Sequence, residues 1–264
     1  MFKQLFRESN AMKAGLFLAI IAGVVYIVGL FTPLNSGVPY APGRLVLGYI
    51  WTFLRVGLLL MLWAWFSYHK TWLVPWYEEG MKIEVFSSTR VVRIALIAAA
   101  TIVFAFVKIP VLGWSIRTVA PAFGMMYFGF IEGVFGGWIG YMLSTLIVGG
   151  YEDPLMMLPT SGIGDMVAVA LFGLIYWARI REETDAKTRS KRYFTALLIS
   201  FAVWYVDIIL HSVGYVGASL VLPYAVQYLA GGFIVLAIII AIAIGAVEAM
   251  NRSRRKKAAA TTTE

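Results

Sequence analysis

Long apolar runs, separated by short charged or glycine- and proline-rich segments, constrain the fold of this chain more than any other feature of its sequence. We count eight such runs, at 14–31, 45–68, 91–109, 118–131, 134–148, 161–178, 193–215 and 224–250. A helix needs about 20 apolar residues to cross a hydrocarbon core, and a spanning segment must satisfy its own backbone hydrogen bonds. The runs do not alternate as barrel strands do, so the pattern predicts an all-α polytopic membrane protein.

Composition narrows the class of protein further. The chain is 61% hydrophobic and 14% charged, with a mean hydropathy of +0.81, which excludes a soluble globular domain. The net charge of +8 comes from bases in the loops between apolar runs, so it indicates membrane topology and no nucleic-acid partner. The chain has no Cys, which excludes disulfides and thiol chemistry.

The positions of Lys and Arg predict the orientation. If every run crosses the bilayer, all but four of the 22 bases lie on one side, within 3–13, 70–93, 179–192 and 252–257. The four exceptions are Arg44, Arg55, Lys108 and Arg117. Because Lys and Arg accumulate in cytoplasmic loops, we expect a multi-pass protein of the cell membrane with both termini in the cytoplasm. The basic segments 179–192 and 252–257 either contact anionic headgroups of the lipid bilayer or serve only to determine the topology.

Two neighbouring runs, 118–131 and 134–148, are short for membrane spans. Each gives roughly 21–23 Å of helix, against a hydrocarbon core of about 30 Å. The distribution of bases requires that both cross or neither does, since a single crossing would move 179–192 to the other side. We therefore expect either eight passes or six passes and a re-entrant hairpin. Glu132, between the two runs, is expected at a solvated turn.

The chain is expected to divide into four segments. Residues 1–68 form an N-terminal two-helix membrane module, and 69–90, which begins with several aromatic residues, forms a cytoplasmic interfacial linker. Residues 91–250 form a six-helix membrane core. The tail 251–264 is basic and ends in small and polar residues, so we expect it to be disordered in the cytoplasm.

Small residues recur at intervals of four in several runs. These sets are Ala95 and Ala99; Gly129, Gly133 and Gly137; and Gly136 and Gly140. Small residues at positions i and i+4 let two membrane helices approach closely. Each set is explained either by packing within one bundle or by the docking of a partner helix.

The order of features over residues 90–250 resembles the substrate-binding S component of energy-coupling factor (ECF) transporters, which import vitamins. The matching features, in chain order, are Ala95 with Ala99, Pro110 with Gly113, Phe128 with Gly129, and the glycines of 133–140. The chain departs from the family at Phe130, where Pro is common, and at Ser144, where an acidic residue is common.

The resemblance implies a subunit that binds a small water-soluble vitamin or precursor in an outward-facing pocket. Its implied partners are a transmembrane coupling subunit, on which Ala95 and Ala99 dock, and two ATPase subunits; it implies no cofactor. The pocket would lie beneath three outer loops, 111–117, 149–160 and 216–223. Candidate substrate-binding residues in and beside these loops are Trp114, Arg117, Tyr151, Asp153 and Asp165.

A stripe of polar and aromatic residues in the seventh run adds further candidates. Trp204, Asp207, His211 and Tyr215 follow one another at helical spacing. Charged residues within spans are costly and usually face the interior of a bundle, and Arg55 lies near the middle of the second run. The stripe either stacks and hydrogen-bonds a flat polar solute or, through Asp207 and Arg55, clamps two helices together.

Motifs of the common enzyme classes are missing from the sequence. It contains no GK[ST] phosphate loop, no H-E-x-x-H and no G-x-S-x-G. With only His69 and His211 present, we expect no metal site. We therefore expect a transport subunit and not an enzyme. The alternatives are a structural or accessory subunit of a larger membrane complex, or a proton-coupled carrier or membrane enzyme that uses Asp207 and His211.

Overall fold

The computed structural model describes residues 9–35, 37, 39, 41–68, 87–110, 112–148 and 162–261. The helices in these ranges are α1 Asn10–Leu30, α2 Pro42–Tyr68, α3 Ser88–Ala105, α4 Val119–Tyr127, α5 Phe130–Val148, α6 Ile163–Ile175, α7 Ala186–Val216, α8 Ala218–Gln227 and α9 Phe233–Thr261. A π-helical turn, Tyr176–Ile180, continues α6, and a second, Tyr228–Gly232, joins α8 to α9. The described residues contain no β-strand, so the all-α class is confirmed.

Seven stretches of the described chain are long and apolar enough to cross a membrane. They are Asn10–Leu30, Pro42–Tyr68, Ser88–Ala105, Phe130–Val148, Ile163–Ile180, Ala186–Val216 and Val221–Ser253. The prediction of a polytopic membrane protein is therefore confirmed. Of the two short runs, 134–148 forms one of these seven stretches as part of α5, whereas 118–131 contributes only α4, a helix of nine residues or about 13 Å, so one arm of the expected hairpin is shorter than a full span. Gly129, with φ of +118°, ends this helical segment and turns the chain into α5.

The helices α3 and α5 run parallel to each other. A Cβ added to Gly136 would lie 2.8 Å from Ile97 Cβ, and one added to Gly140 would lie 2.5 Å from Thr101 Cβ, so residue numbers rise together along the pair. Helix α4 runs the other way, because Gly137 lies beside Pro121 and Gly133 beside Met125. The chain therefore returns through 106–118 and α4 before α5 begins, and the hairpin has two unequal arms.

Neighbouring helices alternate in direction through the rest of the bundle. Gly162 lies beside Tyr141, Gly48 beside Tyr215, and Gly15 beside Gly57. This alternation places the start of α1, the start of α3, the loop between α6 and α7 and the end of α9 at the same end of the bundle. We call it the basic end, since 179–192 and Arg252 belong to it. The other end, with 106–118 and the start of α6, is the opposite end.

The glycines of α5 allow three helices to pack against it. Gly136 and Gly140 face α3, Gly133 faces α4, and Gly137 lies against both α4 and Met166 of α6. For this set, packing within one bundle is the correct explanation. Ala95 and Ala99 differ, because both are exposed on α3, on the side turned away from the bundle.

The N-terminal helices are joined closely to each other. A Cβ added to Gly15 would lie 2.6 Å from the Gly57 carbonyl oxygen, and one added to Gly57 would lie 2.7 Å from that of Gly15. Helix α2 then packs against α6 and α7. The assignment of 1–68 as a separate module stays a prediction.

Two of the predicted segment boundaries differ from the helix ends that the structure describes. The linker 69–90 lies mostly outside the described residues, but 88–90 belong to α3. Ser87 caps the start of this helix, because its side chain accepts a hydrogen bond from the Arg90 backbone N–H. The tail 251–264 was expected to be disordered, yet α9 continues to Thr261. Its Arg, Lys and Ala residues have high helix propensity, and no Gly or Pro interrupts them.

Candidate functional site

The expected stripe on α7 contributes to two separate clusters. The first lies at the middle of the bundle, where Arg55 forms a two-pronged ion pair with Asp207. Arg55 Nη2 lies 2.8 Å from Asp207 Oδ2 and Arg55 Nε lies 2.8 Å from Oδ1. The Trp51 indole also donates to Oδ1, at 2.8 Å. Arg55 is 2% exposed and Asp207 8% exposed, so both charges are removed from solvent together.

This mid-membrane ion pair fits a structural role. A buried carboxylate needs a compensating charge and hydrogen bonds, and Asp207 has both within the protein. Of the two explanations for Asp207, the geometry favours the clamp that joins α2 to α7. His211 and Tyr215 continue the stripe with their rings edge to face, 4.5 Å between centroids. His211 Nε2 is buried and has no hydrogen-bond partner among the described residues.

The second cluster surrounds Asp165, in the first turn of α6. Asp165 Oδ1 accepts a hydrogen bond of 2.6 Å from the Trp204 indole, and Oδ2 accepts one from the Tyr141 hydroxyl. Tyr141 also hydrogen-bonds Thr118 at 2.5 Å, and the Arg117 guanidinium stacks 4.1 Å from the centroid of its ring. These residues, which we call the Asp165 cluster, come from α5, α6, α7 and the turn before α4.

Aromatic rings extend the Asp165 cluster along the opposite end of the bundle. Trp114 lies 5.2 Å from Tyr228, and Tyr228 lies 5.9 Å from Trp204, measured between ring centroids. All three rings are partly exposed. The structure thus brings together four of the predicted site residues, Trp114, Arg117, Asp165 and Trp204.

The start of α6 separates the two clusters. A Cβ added to Gly164 would lie 2.5 Å from Asp207 Oδ2 and 3.0 Å from Arg55 Nη2, whereas the next residue, Asp165, points to Trp204. Helical spacing placed Trp204 and Asp207 on one face of α7. The backbone of α6 at Gly164 lies between the Asp207–Arg55 pair and Asp165, the partner of Trp204. The last two predicted residues, Tyr151 and Asp153, lie outside the described residues.

Three residues of these clusters were not predicted from the sequence: Trp51, Tyr141 and Tyr228. Trp51 carried a usable signal, because it precedes Arg55 by four residues and so shares its helix face. Tyr141 and Tyr228 lie in apolar runs rich in aromatic residues, and only the fold shows which rings face Asp165 and Trp114.

Glu132 is not at a solvated turn, as we had expected, but fully buried at the basic end. It lies 3.4 Å from Arg90 and 3.8 Å from Arg93, in the first turn of α5. The reason is the parallel packing of α3 and α5, which brings the first turns of both helices together. A cavity of about 200 Å³ also lies at this end, lined by residues that include Trp177, Arg179 and Arg192; it contains none of the predicted site residues.

In comparisons with protein-family models, characterised proteins and solved structures, no match to this chain was found. The resemblance to ECF S components therefore rests on the motifs and their order. The Asp165 cluster combines a few convergent polar groups with aromatic rings, which is the composition that small-molecule sites commonly have.

Proposed function

We propose that the chain is the solute-binding membrane subunit of an ECF-type importer for a small water-soluble vitamin or precursor. In this proposal it acts in the cell membrane with a transmembrane coupling subunit and two ATPase subunits. The chain binds the solute, and its partners supply the energy of ATP hydrolysis. The chain itself is not an enzyme.

The observation that carries the proposal is the exposure of Ala95 and Ala99. The glycines of α5 pack against other helices of the bundle, whereas no helix of the described chain covers these two alanines. Their neighbours Val92, Leu96 and Val103 are about 60% exposed. A small-residue surface flanked by larger apolar side chains lets a second membrane helix approach closely. This surface suits the docking role that the resemblance implies.

The Asp165 cluster supplies the solute site of the proposal. It lies at the opposite end, away from the basic loops, so a solute would enter from outside the cell if the basic end is cytoplasmic. The clustering of Asp165, Arg117, Trp114 and Trp204 supports this use.

The orientation predicts the labelling of single cysteines in this Cys-free chain. Lys108 lies at the opposite end and Lys187 at the basic end, and both are exposed. We expect Lys108→Cys to react with a membrane-impermeant maleimide in intact cells. Lys187→Cys should react only after permeabilisation. Labelling of Lys187→Cys in intact cells would contradict the orientation.

Docking predicts a loss of assembly when the small-residue surface is enlarged. Ala95→Leu and Ala99→Leu should prevent close helix approach by steric clash, so the ATPase and coupling subunits no longer co-purify from native membranes. The melting temperature of the isolated chain should stay unchanged. Ala202→Leu, the same change at an exposed site on α7, is the matched control and should retain the partners. Full co-purification by both variants would refute the docking role.

A structural subunit of a larger membrane complex is the second candidate. The mid-membrane ion pair favours it, because Asp207, one of the expected solute ligands, is occupied by Arg55 and Trp51. The same occupation weakens a proton-coupled carrier or membrane enzyme that uses Asp207 and His211. A structural subunit would also lose its partners in Ala95→Leu, but it would bind no small solute.

A further inference from the structure

Among the arginines whose side chains the structure describes, four form no ion pair with a described residue: Arg44, Arg117, Arg179 and Arg181. Arg44 donates hydrogen bonds to Asn35 and to the Gly37 carbonyl, and Arg179 and Arg181 are exposed, which leaves Arg117 as the partly buried case to be explained. Ion pairs join Arg55 to Asp207, Arg90 and Arg93 to Glu132, Arg189 and Arg252 to Glu248, and Arg192 to Glu183. Arg117 is half-buried and forms no ion pair within the described residues. A guanidinium withdrawn from water without a counter-ion is unfavourable, so an anion at this position would be stabilised.

Asp165 does not serve as that counter-ion. Both of its oxygens accept hydrogen bonds from neutral donors, the Trp204 indole and the Tyr141 hydroxyl. Arg117 stacks on the ring of Tyr141, whose hydroxyl binds Asp165. The cation and the carboxylate therefore contact the same side chain without pairing with each other.

The contact of Arg117 with the Tyr141 ring leaves the N–H donors of its guanidinium available to a ligand. The guanidinium lies over the Tyr141 ring and donates no hydrogen bond to a described residue, so its five N–H groups can serve a ligand. A planar fork of donors matches the two oxygens of a carboxylate or phosphate.

The loop that carries Arg117 is held in place by its own backbone. Ile109 N–H donates to the Trp114 carbonyl at 2.8 Å, and Ile116 N–H donates to the Val107 carbonyl at 3.0 Å. Trp114 is fixed in the same loop and contacts Tyr228. A cation and an aromatic surface are thus presented together before any ligand binds, which lowers the entropy cost of binding.

We propose that the solute is an anion with a flat ring. Arg117 binds its carboxylate or phosphate group, and Trp114 with its neighbouring rings stacks on the ring. This inference rests on the proposed solute-binding function and adds the chemical class of the solute.

The test is isothermal titration calorimetry on the purified full-length protein in detergent, with matched pairs of probes. The pairs are pyridine-3-carboxylate with pyridine-3-carboxamide, 4-aminobenzoate with 4-aminobenzamide, and pyridoxine 5′-phosphate with pyridoxine. We expect a charged member to bind, and its neutral counterpart to bind about ten- to a hundredfold more weakly. Arg117→Gln should remove this preference, and Arg117→Lys should retain part of it.

Lys108→Gln is the matched control, because it removes an exposed cation from the same loop and should leave affinity unchanged. Unaltered melting temperatures of the unliganded variants show that they are folded. A separate titration with phosphatidylglycerol tests a lipid as the source of the anion, because its headgroup carries a phosphate. If this lipid binds through Arg117 in place of the probes, the solute assignment is overturned.

The remaining outcomes separate the two proposals. Binding of neutral members with equal affinity, or unchanged preference in Arg117→Gln, overturns the anionic class and leaves solute binding intact. If no probe binds and mass spectrometry of the protein from native membranes shows no bound small molecule, solute binding fails and the anionic class fails with it.

Discussion

Replacing Asp207 with Asn should lower the free energy of unfolding by about 3–5 kcal/mol, the usual cost of removing one partner of a buried ion pair. The variant leaves the Arg55 guanidinium buried without a counter-charge and weakens the hydrogen bond from Trp51. Arg55→Gln should cost a similar amount, because it strands the carboxylate instead.

A double-mutant cycle separates the pair from its surroundings. The double variant Arg55→Gln with Asp207→Asn should be more stable than the sum of the single effects predicts, since neither charge is left unpaired. Thermal or denaturant unfolding in detergent measures all four proteins. Additive effects would show that the two side chains do not stabilise each other, and a loss of solute binding without a loss of stability would return Asp207 to the solute site.

Gly133→Ala should destabilise the protein although Ala favours helices. A Cβ at this position would lie 2.6–2.8 Å from the backbone N, Cα and Cβ of Met125, atoms that cannot move without shifting α4. Overpacking of this kind costs about 1–3 kcal/mol, more than the gain in helix propensity of at most about 1 kcal/mol.

Gly245→Ala is the matched control within α9. A Cβ there meets nothing within 4 Å, so only the helix propensity changes and the variant should be unchanged or slightly more stable. Melting temperatures of the two variants, measured side by side, test the close approach of α4 to α5. A Gly133→Ala protein as stable as the wild type would refute it.

The sequence was sufficient for the fold class and the polarity of the bundle. Apolar run length predicted the spanning helices, and the bases predicted that the loop 179–192 lies at the same end as the start of α1 and the end of α9. The short α4 was harder, because an apolar run shows where a segment avoids water but does not show where Gly129 will end its helix. Glu132 was misplaced for a related reason, since its burial depends on the parallel packing of α3 and α5.

The candidate site was only partly predictable. Spacing along α7 brought Trp204 and Asp207 to one face, and the Asp207–Arg55 clamp was one of the two explanations that the sequence allowed. The sequence could not show that Gly164 separates Asp207 from Trp204, because this separation depends on how the start of α6 packs against α7. The contact of Arg117 with Tyr141 joins residues 24 positions apart through a turn whose geometry the sequence leaves open.

The enclosure of α4 has a consequence for how the chain enters the membrane during synthesis. Eight of its nine residues are buried by protein, so α4 faces other helices where a full-length span would face lipid. A segment of about 13 Å cannot be held in a bilayer by its own hydrophobicity. Since α3 and α5 nevertheless point the same way, we expect α4 to enter the membrane together with α5, against which it packs. Biogenesis of this bundle is therefore a coupled step of folding and insertion at its centre.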